Sequence, residues 1–267
     1  HEAECNASSD NSVEQLAKSD HQNILTLSGS AYDMGYQMGQ VEGPVIRNIL
    51  QQYANLVGSK WHRLPDIRED AAAADVYFQP DDLEELRGIA DGAGVLPESV
   101  IAHNLMLYPD KGSGCSQFAV TASTNSTSGL IHAANEDLPL ALSVPKCLRR
   151  NVQVRKPTNG IPHIVLGLAG ELAGINGMNC QGIAVTSTML LDLPRRPEIK
   201  QGRAHNAIVK TILSQADNID TAIEITRRCC GMGGWSLCVS HAPSDEIAYL
   251  EYDGKQLQVE RNIRRHV

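Results

Sequence analysis

The stretch DKGSGCSQFAV, residues 110–120, sets Cys115 directly after Gly112-Ser113-Gly114 and at the head of an apolar run. Cysteine is a strong nucleophile near neutral pH, but only as its thiolate, so it needs a base. Two sources of base are open at this position. A separate imidazole is one, and His132, His205 and His241 lie downstream. The other is the α-amine of Cys115 itself, freed if the Gly114–Cys115 peptide bond is cut. An α-amine has a pKa of about 7.7–8.0 and a thiol about 8.5. Nucleophile and base then sit in one residue. The sulfur can make the cut by attacking the Gly114 carbonyl and carrying the acyl group as a thioester that water hydrolyses. Gly114 has no Cβ and tolerates the strained backbone such an attack needs.

The elements that position the thiol read as a hairpin. SQFAVTA and LIHAA are strand-like and are joined by STNSTSG, residues 123–129. With the pairing centred on Ser126, Cys115 opposes Asp137, Gln117 opposes Asn135 and Ala119 opposes Ala133. Side chains alternate along a strand, so Cys115, Gln117, Asn135 and Asp137 then share one face. A one-residue slip would carry the second strand's set to the other face. A carboxylate raises a thiol's pKa and hinders a conventional cysteine nucleophile, whereas it stabilises an ammonium. Asp137 beside Cys115 therefore favours the α-amine route, with Asp137 holding the new ammonium.

The first 110 residues are mainly helical. Met34, Met38, Val41, Val45, Ile49, Tyr53 and Leu56 step by three and four, an amphipathic stripe capped by Ser30 or Asp33. A second helix follows PDD, with Leu83, Leu86, Ile89, Ala90 and Ala93 on one face, and a third starts at Pro97. NVQVR, HIVLGLAG, GIAVTSTM, WSLCVS, EIAYLEY and QLQVE read as further strands. HNAIVKTIL and, after Asp220 as N-cap, TAIEITRR read as helices. Helices gathered at one end and strands clustered after them predict α+β layers rather than βαβ alternation.

The chain of 267 residues has a formal charge of −8 and a pI near 5.6, which gives no electrostatic reason to bind nucleic acid. The short basic pairs Arg149-Arg150, Arg195-Arg196 and Arg264-Arg265 read as solvated surface. No apolar run reaches membrane-spanning length, so the expectation is a protein not integral to a membrane. Residues 1–23 are polar and aperiodic, an expected disordered or trimmed terminus, and 24–267 read as one domain. Seven cysteines (5, 115, 147, 180, 229, 230, 238) contain no C-x-x-C, so no metal or redox pair is indicated. Sequons at Asn6 and Asn125 and the processed-looking start lean towards export.

Four segments in order, GSAYDMGYQMG, LRGIADGAGVLPESVIAHN, SGCSQFAV with HAANED, and GINGMNCQGIAV followed by EIAYLEY, resemble a known family. It comprises the self-cleaving penicillin-type acyltransferases of the N-terminal nucleophile (Ntn) hydrolases, peptidase family C45. The resemblance spans roughly residues 24–262. It implies a four-layer αββα sandwich, cleavage between Gly114 and Cys115 into an α part (1–114) and a β part (115–267) that stay associated, and Cys115 as nucleophile. Asn135 and Asp137 correspond to the family's Asn-x-Asp, and Gly177 to Gly182 to its Gly-x-Asn-x-x-Gly turn. Ala134 stands where the bile-salt hydrolase and acid-ceramidase relatives carry Arg.

Two departures are visible: Thr186 and Thr188 stand where the family often has Asn, and the family's oxyanion-hole Asn and a late Arg fall just beyond Val267. Losing one oxyanion donor costs about 10²- to 10³-fold. If no other group supplies that donor, the expectation is a chain that cleaves itself yet turns over poorly. The expected substrate is a small acyl amide, with an amine acceptor or acyl-coenzyme A entering only if transfer occurs, and no cofactor or metal. The alternatives are a non-catalytic or only self-processing homologue that acts as a binding module, and a papain-like Cys-His hydrolase. G-x-S-x-G, P-loop and H-E-x-x-H signatures are absent.

Overall fold

The computed structural model describes residues 23–60, 72–106, 114–124, 129–137, 149–190, 202–229, 231, 233–254 and 256–261, with the backbone alone at 23, 53–60, 106 and 114. The expected N-terminal tail up to residue 22, both sequons, Cys5, Cys147, Cys230, Arg195-Arg196, Arg264-Arg265, the Tyr53 and Leu56 side chains and the centre of the 123–129 connection lie outside these residues.

Strand β1 (Asn23–Gly29) leads into helix α1 (Ala31–Lys60). Ser30 and Asp33 cap that helix reciprocally: the Ser30 amide and hydroxyl donate to Asp33 Oδ2 at 3.0 and 2.6 Å, and the Asp33 amide donates to Ser30 Oγ at 3.2 Å. A short helix α2 (Ala74–Tyr77), α3 (Pro80–Ala93) and α4 (Pro97–Met106) follow. Pro80 opens α3 in its first turn behind a Gln79/Asp82 capping box, and Gly94 closes it in a left-handed conformation.

α1 and α3 approach backbone to backbone. A Cβ on Gly39 would stand 2.4 Å from the Ile89 carbonyl oxygen, and one on Gly88 2.2 Å from that of Tyr32. Glycines spaced by four on each helix thus form two flat faces that lie against each other, the same steric logic as small-residue helix pairs elsewhere. Met34, Met38, Ile49, Leu86, Ile89 and Ala93 fill the core beside this seam together with Leu25 and Leu27 of β1.

The remaining elements are β2 (Gly114–Val120), β3 (Ile131–Asp137), β4 (Arg150–Pro157), β5 (His163–Leu168), β6 (Asn176–Asn179), β7 (Ile183–Met189), α5 (His205–Gln215), α6 (Ile219–Cys229), β8 (Trp235–His241), β9 (Glu246–Tyr252) and β10 (Leu257–Arg261). β1 and β4–β10 make one sheet in the order β1-β4-β5-β6-β7-β8-β9-β10, antiparallel except for β1 beside β4. β2 and β3 form a separate antiparallel hairpin. Val165, Ile183, Val185, Leu237, Val239, Ala248 and Leu250 face α5 and α6 in a second apolar cluster. On the opposite face of β7 and β8, Thr186, Ser236 and Ser240 meet the hairpin.

The chain is therefore α+β, with a large, mostly antiparallel sheet and helices on one face. The described residues supply a helical layer, the eight-stranded sheet and the hairpin on its other side. β1 and β6 were not foreseen, because NILTLSG buries only two leucines and three of the four residues of NGMN are turn-forming. α6 begins one residue before Asp220, and its cap is Asn218, whose Oδ1 accepts the Thr221 amide at 2.8 Å. No helix among the described residues is long and apolar enough to cross a membrane.

Under α3, a charged chain is sealed from solvent. Arg155 donates to Glu85 at 2.5 Å and to Gln153 at 2.7 Å, and Lys210 of α5 meets Asp82 at 2.8 Å and Glu85 at 2.9 Å. Burial pushes the Glu85 carboxyl up, but Arg155 and Lys210 outweigh it and hold the group below the ordinary range. Removing one partner from such a set strands the others.

Two outcomes follow for urea unfolding. Gly88→Ala should cost at least about 1–3 kcal/mol by overpacking, whereas Gly129→Ala, with open space around it, should be nearly neutral. Glu85→Ala should cost about 3–5 kcal/mol by leaving buried Arg155 without a carboxylate and Lys210 with Asp82 alone; a loss under about 1 kcal/mol would show that the pairs are not buried as described.

Candidate active site

Cys115 heads β2. In the observed pairing it opposes Glu136, while Gly114 opposes Asp137, Ser116 opposes Asn135 and Gln117 opposes Ala134. The expected register is thus corrected by one residue. Cys115 and Gln117 share their face with His132 and Glu136, and Asn135 and Asp137 lie on the exposed face, where Asn135 Nδ2 donates to Asp137 Oδ1 at 2.9 Å.

The physical reason lies in the sheet beneath. The pairing centred on Ser126 would turn His132 outwards, yet His132 is the side chain that matches the polar groups of β7 and β8. Ser240 Oγ is 2.7 Å from His132 Nδ1, Thr186 Oγ1 is 2.8 Å from Nε2, Thr186 donates to Gln117 Oε1 at 3.0 Å, and Gln117 Nε2 donates to Ser236 Oγ at 3.2 Å. Because the Thr186 proton goes to Gln117, Thr186 accepts from His132 Nε2–H, which leaves Nδ1 to accept from Ser240. The network thereby assigns one neutral tautomer. The far end of the hairpin is held by Asp245, whose carboxylate accepts the Ala122 and Ser123 amides at 2.6 and 3.0 Å. Tyr249 donates to the Gln117 carbonyl at 3.0 Å.

Around the thiol, burial pushes Cys115 above the ordinary thiol range, and Glu136 and Asp137 add to the rise. The backbone N–H groups of Asp137 and Met189 act on the sulfur in the opposite sense. Glu136 is itself clamped: Arg150 Nη1 lies 3.0 Å from its Oε2 and Asn176 Nδ2 donates to its Oε1. Asn176 also accepts the Ser187 amide at 3.1 Å, which ties this carboxylate to β7. Nearby Glu171 is buried, accepts the Leu168 amide at 3.1 Å, and is raised well above the ordinary carboxyl range, first by burial and then by Glu136. Thr188 Oγ1 is buried and has no hydrogen-bond partner among the described residues.

Sequence reasoning brought Cys115, Gly114, Asn135 and Asp137 to one strand end, and the structure keeps them there. It missed Glu136, Arg150, Asn176 and Glu171. Arg150, taken for solvated surface, is an ion-pair partner of Glu136. The available signal was HAANED itself, in which alternation obliges either Glu136 or the Asn135/Asp137 pair to face the thiol.

The other candidates are engaged elsewhere. His205 Nδ1 pairs with Tyr252 Oη at 2.6 Å and its ring stacks on Trp235 at 3.7 Å, on the helical side of the sheet. His241 Nδ1 meets Ser244 Oγ at 2.7 Å. Asn179 of the Gly-x-Asn-x-x-Gly turn is buried and structural. It donates to the Leu213 and Ala216 carbonyls at 3.0 and 2.8 Å and accepts the Gln181 and Ile183 amides, with Gly182 at positive φ closing the turn. Cys238 is a free thiol like Cys115, and burial drives it up to about 12. Among the described residues no group of acidic, histidine and cysteine side chains is arranged to hold a metal ion.

Neither a scan of protein-family models nor a search of curated proteins finds a match to this chain.

His132→Phe should lower stability by about 1–3 kcal/mol, because Ser240 and Thr186 lose their partner inside the interface; an unchanged urea midpoint would remove the hairpin network from the account. His103, His132 and His163 are depressed to about 4 and His205 to about 3, all chiefly by burial. These groups stay neutral when folded but take protons when unfolded below about 6.5. Their contribution is complete above that pH and is lost as the pH falls towards 4. Glu171, raised in the fold, works in the other direction, but it is one group against four. Unfolding midpoints should therefore fall between pH 7 and pH 5.

Proposed function

We propose that this chain is a self-processing cysteine amidohydrolase or acyltransferase of the Ntn type. It would be related to the penicillin-type acyltransferases and share their four-layer αββα sandwich. The observation that carries the reading is the pairing at the scissile bond: Gly114 and Cys115 lie opposite Asp137 and Glu136, so two carboxylates bracket one peptide bond. A bare thiol in that setting is a poor nucleophile, and the histidine on its face has no free acceptor. An α-amine on Cys115 would meet both difficulties.

In self-cleavage, Cys115 Sγ adds to the Gly114 carbonyl carbon, and the C–N bond breaks as the nitrogen takes a proton. Gly114 is then held as a thioester. Water hydrolyses it, releasing the Gly114 carboxylate and restoring the thiol. Asp137, opposite the scissile glycine and held by Asn135, is placed to manage the proton that the leaving nitrogen needs. In turnover the α-amine takes the thiol proton, the sulfur adds to an amide carbonyl, and the C–N bond breaks as the amine leaves with a proton returned by the α-ammonium; water or an acceptor amine then takes the acyl group from the thioester and restores the thiol. The substrate class is a small acyl amide. Transfer, if it is the reaction, adds an amine acceptor or acyl-coenzyme A.

The two products would stay together. β1 belongs to the piece before the cut and pairs along its length with β4 after it, and Glu85 and Asp82 before the cut hold Arg155 and Lys210 after it. Intact mass should show fragments ending at Gly114 and beginning at Cys115 that co-elute on gel filtration, and Cys115→Ala should remain whole. A single uncut polypeptide that hydrolyses amides would overturn the mechanism, and an uncut, inactive one would favour a binding module. Asp137→Asn should slow self-cleavage by roughly 10²-fold with an unchanged urea midpoint; wild-type cleavage in that variant would remove Asp137 from the assignment.

A further inference from the structure

We infer that Glu136, rather than Asp137, is the residue that anchors the α-ammonium of Cys115 once the chain is cut. This rests on the self-cleavage reading. Three observations support it.

The first is position. Glu136 is the direct cross-strand partner of Cys115 and shares its face, and opposed side chains in an antiparallel pair have Cβ atoms about 4.5–5.5 Å apart. Asp137 pairs with Gly114, and its carboxylate is turned to the exposed face and engaged by Asn135.

The second is preorganisation. A carboxylate that is to hold a newly formed cation must not wander, and Glu136 is fixed at both oxygens, by Arg150 from β4 and Asn176 from β6. Asn176 is buried and tied to the Ser187 amide, so the clamp is continuous with the large sheet. Arg150 is half-exposed, at 51%, and is the partner that can yield when a second cation arrives.

The third is an unused acceptor. Thr186 bonds to Gln117 across the interface, and Met189 presents its N–H to the Cys115 sulfur. Thr188 lies between them in sequence and on the same face of β7 as Thr186. Its hydroxyl oxygen is buried without a partner among the described residues. An ammonium has three protons to place, and Glu136 and Thr188 offer two acceptors on the hairpin side of the sheet.

The charged and titratable groups around Glu136 are Cys115 of β2, Arg150 of β4, Glu171 in the β5–β6 connection, and His132 and Asp137 of its own strand. His132 is bonded to Ser240 and Thr186, and Glu171 is buried behind the Leu168 amide. Glu136 is thus the carboxylate that supplies negative charge on the thiol's face, with half-exposed Arg150 as the partner it can exchange for the ammonium.

The test uses the processed protein labelled with ¹⁵N-cysteine. Of the seven cysteines, only one that begins a chain gives an α-amino nitrogen, whose chemical shift reports its protonation directly. Glu136→Gln should lower the midpoint of that titration by about one pH unit, a tenfold smaller ammonium-to-amine ratio at a given pH. Arg150→Gln removes a competing cation and leaves the carboxylate, so it should raise the midpoint. If Glu136→Gln does not mature, Arg150→Gln decides alone: a raised midpoint supports the proposal and an unchanged one overturns it. A wild-type titration that Glu136→Gln leaves in place overturns the proposal while sparing the self-cleavage reading. A wild-type protein of intact mass with no α-amino signal overturns both.

Discussion

The position of the thiol depends on a hairpin that is hydrogen-bonded to the large sheet rather than packed on it by apolar contact. A two-stranded hairpin is at best marginally stable alone. This one has its larger apolar side chains, Phe118 and Ile131, exposed on the outer face and polar ones inside. What holds it is a directional series: Ser240 to His132, His132 to Thr186, Thr186 to Gln117, Gln117 to Ser236. Each member uses its donor on the next, so the series tolerates one register and one imidazole tautomer. Shifting β3 by a single residue would break two of these bonds and expose Glu136 in place of Asp137. The register of a short strand pair is thereby set by buried polar satisfaction, which is costly to violate in a low-dielectric interface.

The same constraint explains what could and could not be seen beforehand. Strands β2, β3, β4, β5 and β7–β10 were legible because they are runs of β-branched and apolar residues between turn residues, and α1, α3 and α4 because of their periodicity and caps. β1 and β6 were not, since each borrows its burial from neighbours: Leu25 and Leu27 lie against α1, and Gly177 packs beneath the Ile164 carbonyl. Cys115 was legible as a candidate nucleophile from its loop and its apolar continuation. Glu136 was not, because alternation gives two answers and only the partners on β7 and β8 select one. The α1–α3 seam had a signal, glycines spaced by four at 35, 39, 43 and at 88, 92, but only proximity shows that they face each other.

The buried ion chain bears on function through connectivity. Asp82 and Glu85 precede the hairpin in sequence, while Arg155 and Lys210 follow it. A cut at residue 114 would separate these partners covalently yet leave them sealed in one interior, beside a parallel β1–β4 pairing of seven residues. Separating the fragments would expose two cations and two anions together with the apolar seam. Under the proposed mechanism these contacts would hold the two fragments together after the cut.

Electrostatics then distinguishes the two states of Cys115 under the proposed mechanism. In the uncut chain, burial and Glu136 both act to keep the thiol protonated, and no imidazole acceptor is left on its face. The uncut chain would therefore attack slowly and once. Cutting the bond places a cation between sulfur and carboxylate. The carboxylate that had opposed the thiolate is neutralised, and the ammonium stabilises the thiolate directly, since an opposite charge within about 4–6 Å favours the ionised form. One acidic side chain can thus suppress the nucleophile before processing and orient its base afterwards, provided that it lies on the thiol's face. The observed register meets that condition with Glu136, and the alternative register would have met it with Asp137, at the expense of the hydrogen bonds that dock the hairpin.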